Sequence, residues 1–312
     1  MGIKGLNYII KNHVKSPFQE RDIEYFSGSK FGIDSGILFY KCAYKRNISG
    51  ESIVTGFLNK AIWYLENNII PIFCFDGTPP EEKNSVIKSR WTRKEKIKAK
   101  LQELGDSNPE LSLRLQRQII CVSKEEKKQV IEIIKLSGLP WVISSGEAEG
   151  TCALLQKEGH TDFTVTEDGD ALMFGCPSFI KDSTTFGKVK HYDLGHILQE
   201  LNLSFQEFLD LAILCGCDYC PTIQGIGPAK SLKLVKENGL FSQEILNCTE
   251  EYWNSFTVAK RLYTKPVLAE DSNLNLELPQ PTLTQHLKEI GIPNKTISKL
   301  IFRLNAAIGF QK

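Results

Sequence analysis

The chain has 312 residues, of which 41% are hydrophobic and 24% charged, and its formal net charge is +1. That composition is ordinary for a globular protein and long enough for one large domain, or one domain with a helical annex. The near-zero charge announces no polyanionic partner by itself, and no apolar run approaches the ~20 residues of a membrane span, so no membrane partner is expected.

The N-terminus, MGIKGLNYII, lacks an apolar stretch with basic flanks, so it is not expected to act as a secretory leader. Leu6 stands where N-myristoylation wants Ser or Thr. Short runs of β-branched and aromatic residues then recur: FGIDS (31–35), IIPIFCFD (69–76), PWVIS (140–144), DFTVTED (162–168) and SFIKD (178–182). Each is predicted to be a strand. Helical patterns lie between them, over 50–67 and 149–159. Buried strands alternating with helices predict an α/β fold with a mostly parallel sheet. Residues 83–135 break this rhythm: they are polar, charged, helical in propensity and too long for a plain crossover. From about 197 onward the chain is mostly helical. The stretch 265–283 is expected to be an extended connector, followed by two short amphipathic helices, TLTQHLKEIG and NKTISKLIFRLNAAIGF. Nine cysteines, an odd number, point to free thiols in a reducing compartment.

Ligands of parallel α/β sheets bind beyond the C-terminal ends of the strands. Acids fall there repeatedly. Asp34 closes FGI, Asp76 closes IFCF, Glu147 and Glu149 follow VISSG, and Asp168 and Asp170 follow FTVTE. Asp218 ends a strongly apolar helical run, LAILCGCDYC. Two pairs are spaced i, i+2, which points both side chains the same way in an extended or turn segment but splays them in mid-helix. Gly146 and Gly169 suit turns. Any one of these acids is explained by an ordinary acidic loop; the set is not. Gathered carboxylates repel unless a cation intervenes, and oxygen-only donors suit Mg²⁺ or Mn²⁺ rather than Zn²⁺. Two such ions can activate water against a phosphodiester.

Residues 83–100 hold eight Lys/Arg and one Glu. A solvated charged helix would account for the charge, but Trp91 adds an aromatic that can stack on single-stranded bases, and Arg93 follows it. Lys83 and Arg90 can neutralise charge on a transferring phosphoryl group. In GIGPAK (225–230), Gly225 and Gly227 let backbone amides approach a phosphate, with Lys230 close behind. Most such turns are only turns; this one follows Asp218 by seven residues. Cys215, Cys217 and Cys220 lack a second ligand pair and a nearby His, so zinc is rejected. The scattered histidines receive no role.

MGIKGL, FGIDS around Asp34, IFCFDGTPP around Asp76, GEAEGTCALL around Glu147, TVTEDGDALMFG around Asp168 and LCGCDYCPTIQGIGPAKSLKL around Asp218 resemble, in order over residues 1 to about 240, the flap endonuclease and XPG-type 5′ nucleases. The resemblance implies a saddle-shaped α/β, PIN-like nuclease core over 1–215, with a helical arch at about 83–135. It implies a helix-hairpin-helix and C-terminal helical region over 216–312. The implied activity is two-metal, Mg²⁺-dependent hydrolysis at 5′ flaps or 5′ ends in replication, repair or recombination, with Mn²⁺ able to substitute. Asp34, Asp76, Glu147 and Glu149 match one metal-ligand group; Asp168, Asp170 and Asp218 match the other. Tyr40 matches an aromatic stacked on the base next to the cut. Lys83 and Arg90 match a basic pair at the arch base, facing the scissile phosphate, and Gly2 matches a residue whose free amino terminus lies near the site. The resemblance adds K⁺ at the hairpin turn and branched or nicked DNA, RNA-primed DNA included, as partner. A monomer in the nucleus is expected. The 70 residues between Asp76 and Glu147 fit the flap or exonuclease branch. The chain departs from the pattern at GFQK, which has neither the glutamine-plus-double-aromatic peptide for the sliding clamp nor a basic tail. Clamp binding and autonomous import are therefore not expected.

Two other functions compete. IFCFDGT resembles the DxDGT signature of haloacid dehalogenase phosphatases, but Cys74 takes the place of the required nucleophilic Asp. A non-catalytic DNA-binding protein of the same fold predicts lost acids, and none of the seven is lost.

Overall fold

The computed structural model describes residues 3–105, 108–181, 187–265 and 271–311. The amphipathic helix α1 (Lys4–His13) buries Leu6, Ile9 and Ile10 and leads to a short strand, β1 (Gln19–Asp22). Strand β2 (Lys30–Asp34) runs straight into α2 (Ser35–Ser49), because the Asp34 carboxylate accepts the Gly36 amide and caps the helix. Helix α3 (Ile53–Glu66) begins at Ser52, whose hydroxyl accepts the Thr55 amide. After β3 (Ile70–Phe75) come α4 (Asn84–Leu104), α5 (Pro109–Gln118) and α6 (Lys124–Leu136). Strand β4 (Trp141–Ile143), helix α7 (Ala148–Lys157) and strands β5 (Phe163–Val165), β6 (Ser178–Lys181) and β7 (Lys188–Asp193) complete the sheet's main body. The rest is α8 (Leu194–Leu201), α9 (Phe205–Leu214), α10 (Pro228–Asn238), α11 (Gln243–Leu246), α12 (Glu250–Thr264), the two-residue β8 (Ser272–Asn273), α13 (Leu283–Glu289) and α14 (Asn294–Gly309).

The strand order is β1-β7-β6-β5-β2-β3-β4-β8. The five central strands, β6 to β4, are parallel, and β1, β7 and β8 add antiparallel edges. The five parallel strands are those expected from the apolar runs. The edges were not expected. β1 is QERD and largely exposed, so it lacks the continuous apolar run of a strand buried on both faces. Alternate residues of β3 face opposite ways. Phe73 and Phe75 join a large cluster with α2, α3, α6, α13 and α14, whereas Ile72 and Cys74 pack under α7. A second large cluster joins α1, α8, α9, α10 and α12. Within it the fully buried Asp210 pairs with Lys260 and accepts the Phe241 amide, which ties α9 to α12 and to the chain after α10. The apolar faces of α10–α12 and of α13–α14 thus join different clusters.

The charged insertion expected over 83–135 divides in two. None of the described residues of α4 is buried, and α5 buries only Leu115. By contrast α6 buries Val130, Ile133 and Ile134 against the cluster that contains α3. The arch is therefore α4 and α5, and α6 belongs to the core. Its LysGluGluLysLys start, like the arch in charge, lies at its solvent end, capped by the reciprocal Ser123–Glu126 box.

Candidate active site

The seven acids collect at one rim because strand ends and helix starts converge there. Asp34 ends β2, Asp76 follows β3, Glu147 and Glu149 open α7, Asp168 and Asp170 follow β5, and Asp218 follows α9. Backbone amides and hydroxyls fix several of them. Thr166 donates to Asp34 at 2.8 Å and the Gly36 amide at 2.9 Å. The Ala148 amide donates to Asp76 at 3.1 Å, and the Ile3 amide to Asp170 at 3.1 Å. A Cβ on Gly36 would sit 3.2 Å from an Asp34 oxygen and 3.3 Å from an Asp76 oxygen, so glycine keeps this approach open.

The electrostatics record the crowding. Burial, and then repulsion from Asp76, raises the Asp34 carboxyl to about 7. Burial and the charges of Asp168 and Asp218 bring Asp170 to about 7. Glu149 is pushed well above the usual range by burial, Asp34 and Asp76. Each of these groups therefore holds a proton more tightly than an isolated carboxyl.

Positive charge reaches the rim from the arch. Lys83 sits in a 3₁₀ turn just before α4; its ammonium pairs with Glu147 and lies 3.1 Å from Asp218. Arg90, two turns along the same helix face, bonds both oxygens of Asp218 at 3.0 and 2.9 Å. The buried Tyr219 donates its hydroxyl to the other oxygen of Glu147. As the acids stand, no three of the described ones are drawn closely enough to hold an ion. The donors are nonetheless all carboxylate oxygens, and three of them bind protons unusually tightly. Such a set fits a hard divalent cation, whose arrival would replace protons, Lys83 and Arg90 as counter-charge.

Other expected residues lie farther out. Tyr40, on α2, is 48% exposed, and Trp91, on α4, is 64% exposed. With Arg93 they line a cavity of about 1380 Å³ between α2 and the arch. Gly225 has φ +79°, which favours glycine, whereas Gly227 has φ −97° and caps α10 through its backbone alone. Lys230 is exposed in the first turn of α10. Gly2 lies outside the described residues. Cys215, Cys217 and Cys220 are free thiols and join no metal cluster among the described residues. Sequence reasoning missed Thr166, the Ile3 amide and Tyr219. The first and last lie within two residues of Asp168 and Asp218, but their partners are remote in sequence.

Residues 1–97 match the XPG N-terminal domain, and residues 138–218 match the XPG I-region. A flap endonuclease 1 from Xiphophorus maculatus is 32% identical over 304 residues, spanning 90% of this chain and 79% of its own. The chain belongs to the flap endonuclease family. Among solved structures, flap endonuclease-1 from Methanococcus jannaschii superposes with a TM-score of 0.71 at 23% identity, over 95% of this chain and 98% of that one. The Holliday junction-resolving enzyme GEN1, solved with product DNA, Mg²⁺ and Mn²⁺, gives a TM-score of 0.65 at 18% identity, over 99% of this chain and 78% of that one. Both share the fold. As a flap endonuclease family member, the protein is a nuclease of the hydrolase class that uses divalent metal. The stretch between the two family matches, 98–137, carries the end of α4, α5 and α6. The first two-thirds of α4, with Lys83 and Arg90 at its base, thus fall inside the N-terminal match, whereas α5, α6 and everything after Asp218 fall outside both.

Proposed function

We propose that the seven rim acids hold two divalent ions, Mg²⁺ in the first instance, with Asp34, Asp76, Glu147 and Glu149 as one ligand group and Asp168, Asp170 and Asp218 as the other. The protein is a structure-specific 5′ nuclease that acts on branched DNA. The observation that carries the reading is the convergence of acids from five segments on a rim already reached by two arch cations. Bound ions supply an activated water and stabilise the leaving oxygen. The chain's own residues do the rest. Lys83 and Arg90 leave their carboxylates and meet the charge that grows on the scissile phosphate. Tyr219 holds Glu147, and Thr166 holds Asp34, in orientation. Tyr40 stacks on the base next to the cut, and Trp91 and Arg93 line the path of the single strand.

Gly225, Gly227 and Lys230 grip the duplex through phosphates, with K⁺ at the turn. Residues 1–215 act as the nuclease core, and 216–312 as the duplex-gripping annex. RNA-primed 5′ ends belong to the substrate class, because these contacts address phosphate and shape rather than the sugar. The protein works as a monomer, in the nucleus. The test uses purified protein on 5′-labelled double-flap, nicked and four-way-junction DNA, with Mg²⁺ or EDTA. Metal-dependent cutting of the flap at its base is expected. Cutting in EDTA, or of unbranched duplex interiors as fast as flaps, would overturn the reading.

A further inference from the structure

The cavity beneath the arch holds more aromatic surface than one stacking position requires. Tyr44 follows Tyr40 by one turn of α2, so the two side chains share a face with about 5–6 Å between their Cβ atoms. Because Asp34 caps the start of α2, Tyr40 stands nearer the acidic rim and Tyr44 farther from it. Each ring faces a cation of the arch. The Lys94 ammonium lies 5.6 Å from the Tyr40 ring centroid, and the Arg117 guanidinium carbon lies 5.5 Å from that of Tyr44. The cavity lining carries eight Lys/Arg side chains against two acids. An open, cationic space with two aligned rings suits a strand that offers alternating phosphates and flat bases.

We propose that Tyr44 and Arg117 form a second nucleotide subsite for the 5′ flap. A flap base farther from the cut than the one at Tyr40 takes the face of the Tyr44 ring. The displaced Arg117 guanidinium then pairs with the adjoining phosphate, for which its planar fork is suited. The subsite rests on the reading of the protein as a 5′-flap nuclease. The competing account is that the Arg117–Tyr44 pair only pins α5 to α2, and in that case it would serve every substrate alike.

The experiment compares a single-nucleotide flap with a longer one, using wild type, Tyr44→Ala, Tyr44→Phe and Arg117→Ala. Tyr44→Ala should weaken binding of the longer flap by about tenfold, the scale of one lost base stack, and leave the single-nucleotide flap unchanged. Tyr44→Phe should retain the wild-type affinity, and Arg117→Ala should share the dependence on flap length. An abasic position scanned along the longer flap probes the same contact without altering the protein. One position should reproduce the loss in wild type and add nothing to Tyr44→Ala. Equal losses on both flaps, or abasic losses that add to Tyr44→Ala at every position, would overturn the subsite while leaving the nuclease intact. A wild-type protein that cuts no flap would overturn the underlying reading and the subsite with it.

Discussion

Arg90 holds both carboxylate oxygens of Asp218, at 3.0 and 2.9 Å, from a helix that contributes nothing to the core. With Lys83 on Glu147 and Asp218, it ties the base of the arch to the acidic rim. In the proposed reaction these two cations exchange the carboxylates for the phosphate of a bound strand. Lys83→Ala and Arg90→Ala should therefore slow single-turnover cleavage by ~2–4 kcal/mol each while changing DNA affinity much less, because they meet charge that develops in the transition state. Rapid-quench rates beside equilibrium binding decide the matter. A loss confined to affinity would make them phosphate anchors only.

The metal-free protein should lose stability as pH rises from about 4 to about 7. Asp34 and Asp170 have folded-state values raised to about 7 from 3.8, so across that window the folded chain keeps protons that the unfolded chain releases. An acid with a raised value contributes its full share below the unfolded value and loses it as pH climbs through the folded one. Thermal melts in EDTA should fall across the window and level off above it. Mg²⁺ should restore more stability at pH 8 than at pH 5.5, with proton release on binding. Asp34→Asn and Asp170→Asn should flatten the slope and abolish Mg²⁺-dependent cleavage. If either keeps full cleavage, its assignment as a ligand is wrong.

At the hairpin, Gly227 has no neighbour within 4 Å of the place a Cβ would occupy, and its φ of −97° suits any residue. Gly227→Val should therefore fold normally, with an unchanged melting temperature. Its side chain would stand between the amides of the turn and a DNA phosphate. Affinity for long-duplex substrates should drop on all sequences alike, with a shallower salt dependence. Unchanged affinity at low and moderate salt would reduce the hairpin to a turn.

Specificity should come from shape and a free 5′ end. The proposed contacts are Lys and Arg to phosphate, aromatic faces to unpaired bases and glycine backbone to phosphate, and none of them places a side chain against base edges in a groove. Residues of α4 and α5 line the cavity through which the proposed path sends a flexible strand. Capping the 5′ terminus of a flap with a bulky protein before adding enzyme should suppress cutting, whereas permuting the flap sequence should change the rate little. Cleavage of the capped flap at the normal position and rate would mean that the arch closes around the strand from the side.

The parallel strands and their terminal acids were legible because local chemistry specifies both. A strand covered on two faces must be a continuous apolar run, and a carboxylate directly after such a run has only the sheet's C-terminal edge to occupy. Asp34, Asp76 and Asp168 could be located in this way from a few neighbouring residues. Helix α6 shows the limit. Its charged start matched that of the arch, and the stripe of Val130, Ile133 and Ile134 that carries it into the core occupies less than two turns.

What the sequence by itself determined is the inventory: the order of elements, seven oxygen donors at strand and helix ends, and a basic segment able to meet phosphate. Tertiary structure alone decided which groups meet. Tyr219 donates to Glu147 across 72 positions, and Arg90 grips Asp218 across 128. The arch's Arg117 lies over Tyr44 from a different helix. The raised affinities of Asp34, Glu149 and Asp170 for protons likewise exist only once burial and mutual repulsion act together. Periodicity and capping are read within a few residues along the chain, but charge acts through space, between side chains that only the folded path brings near.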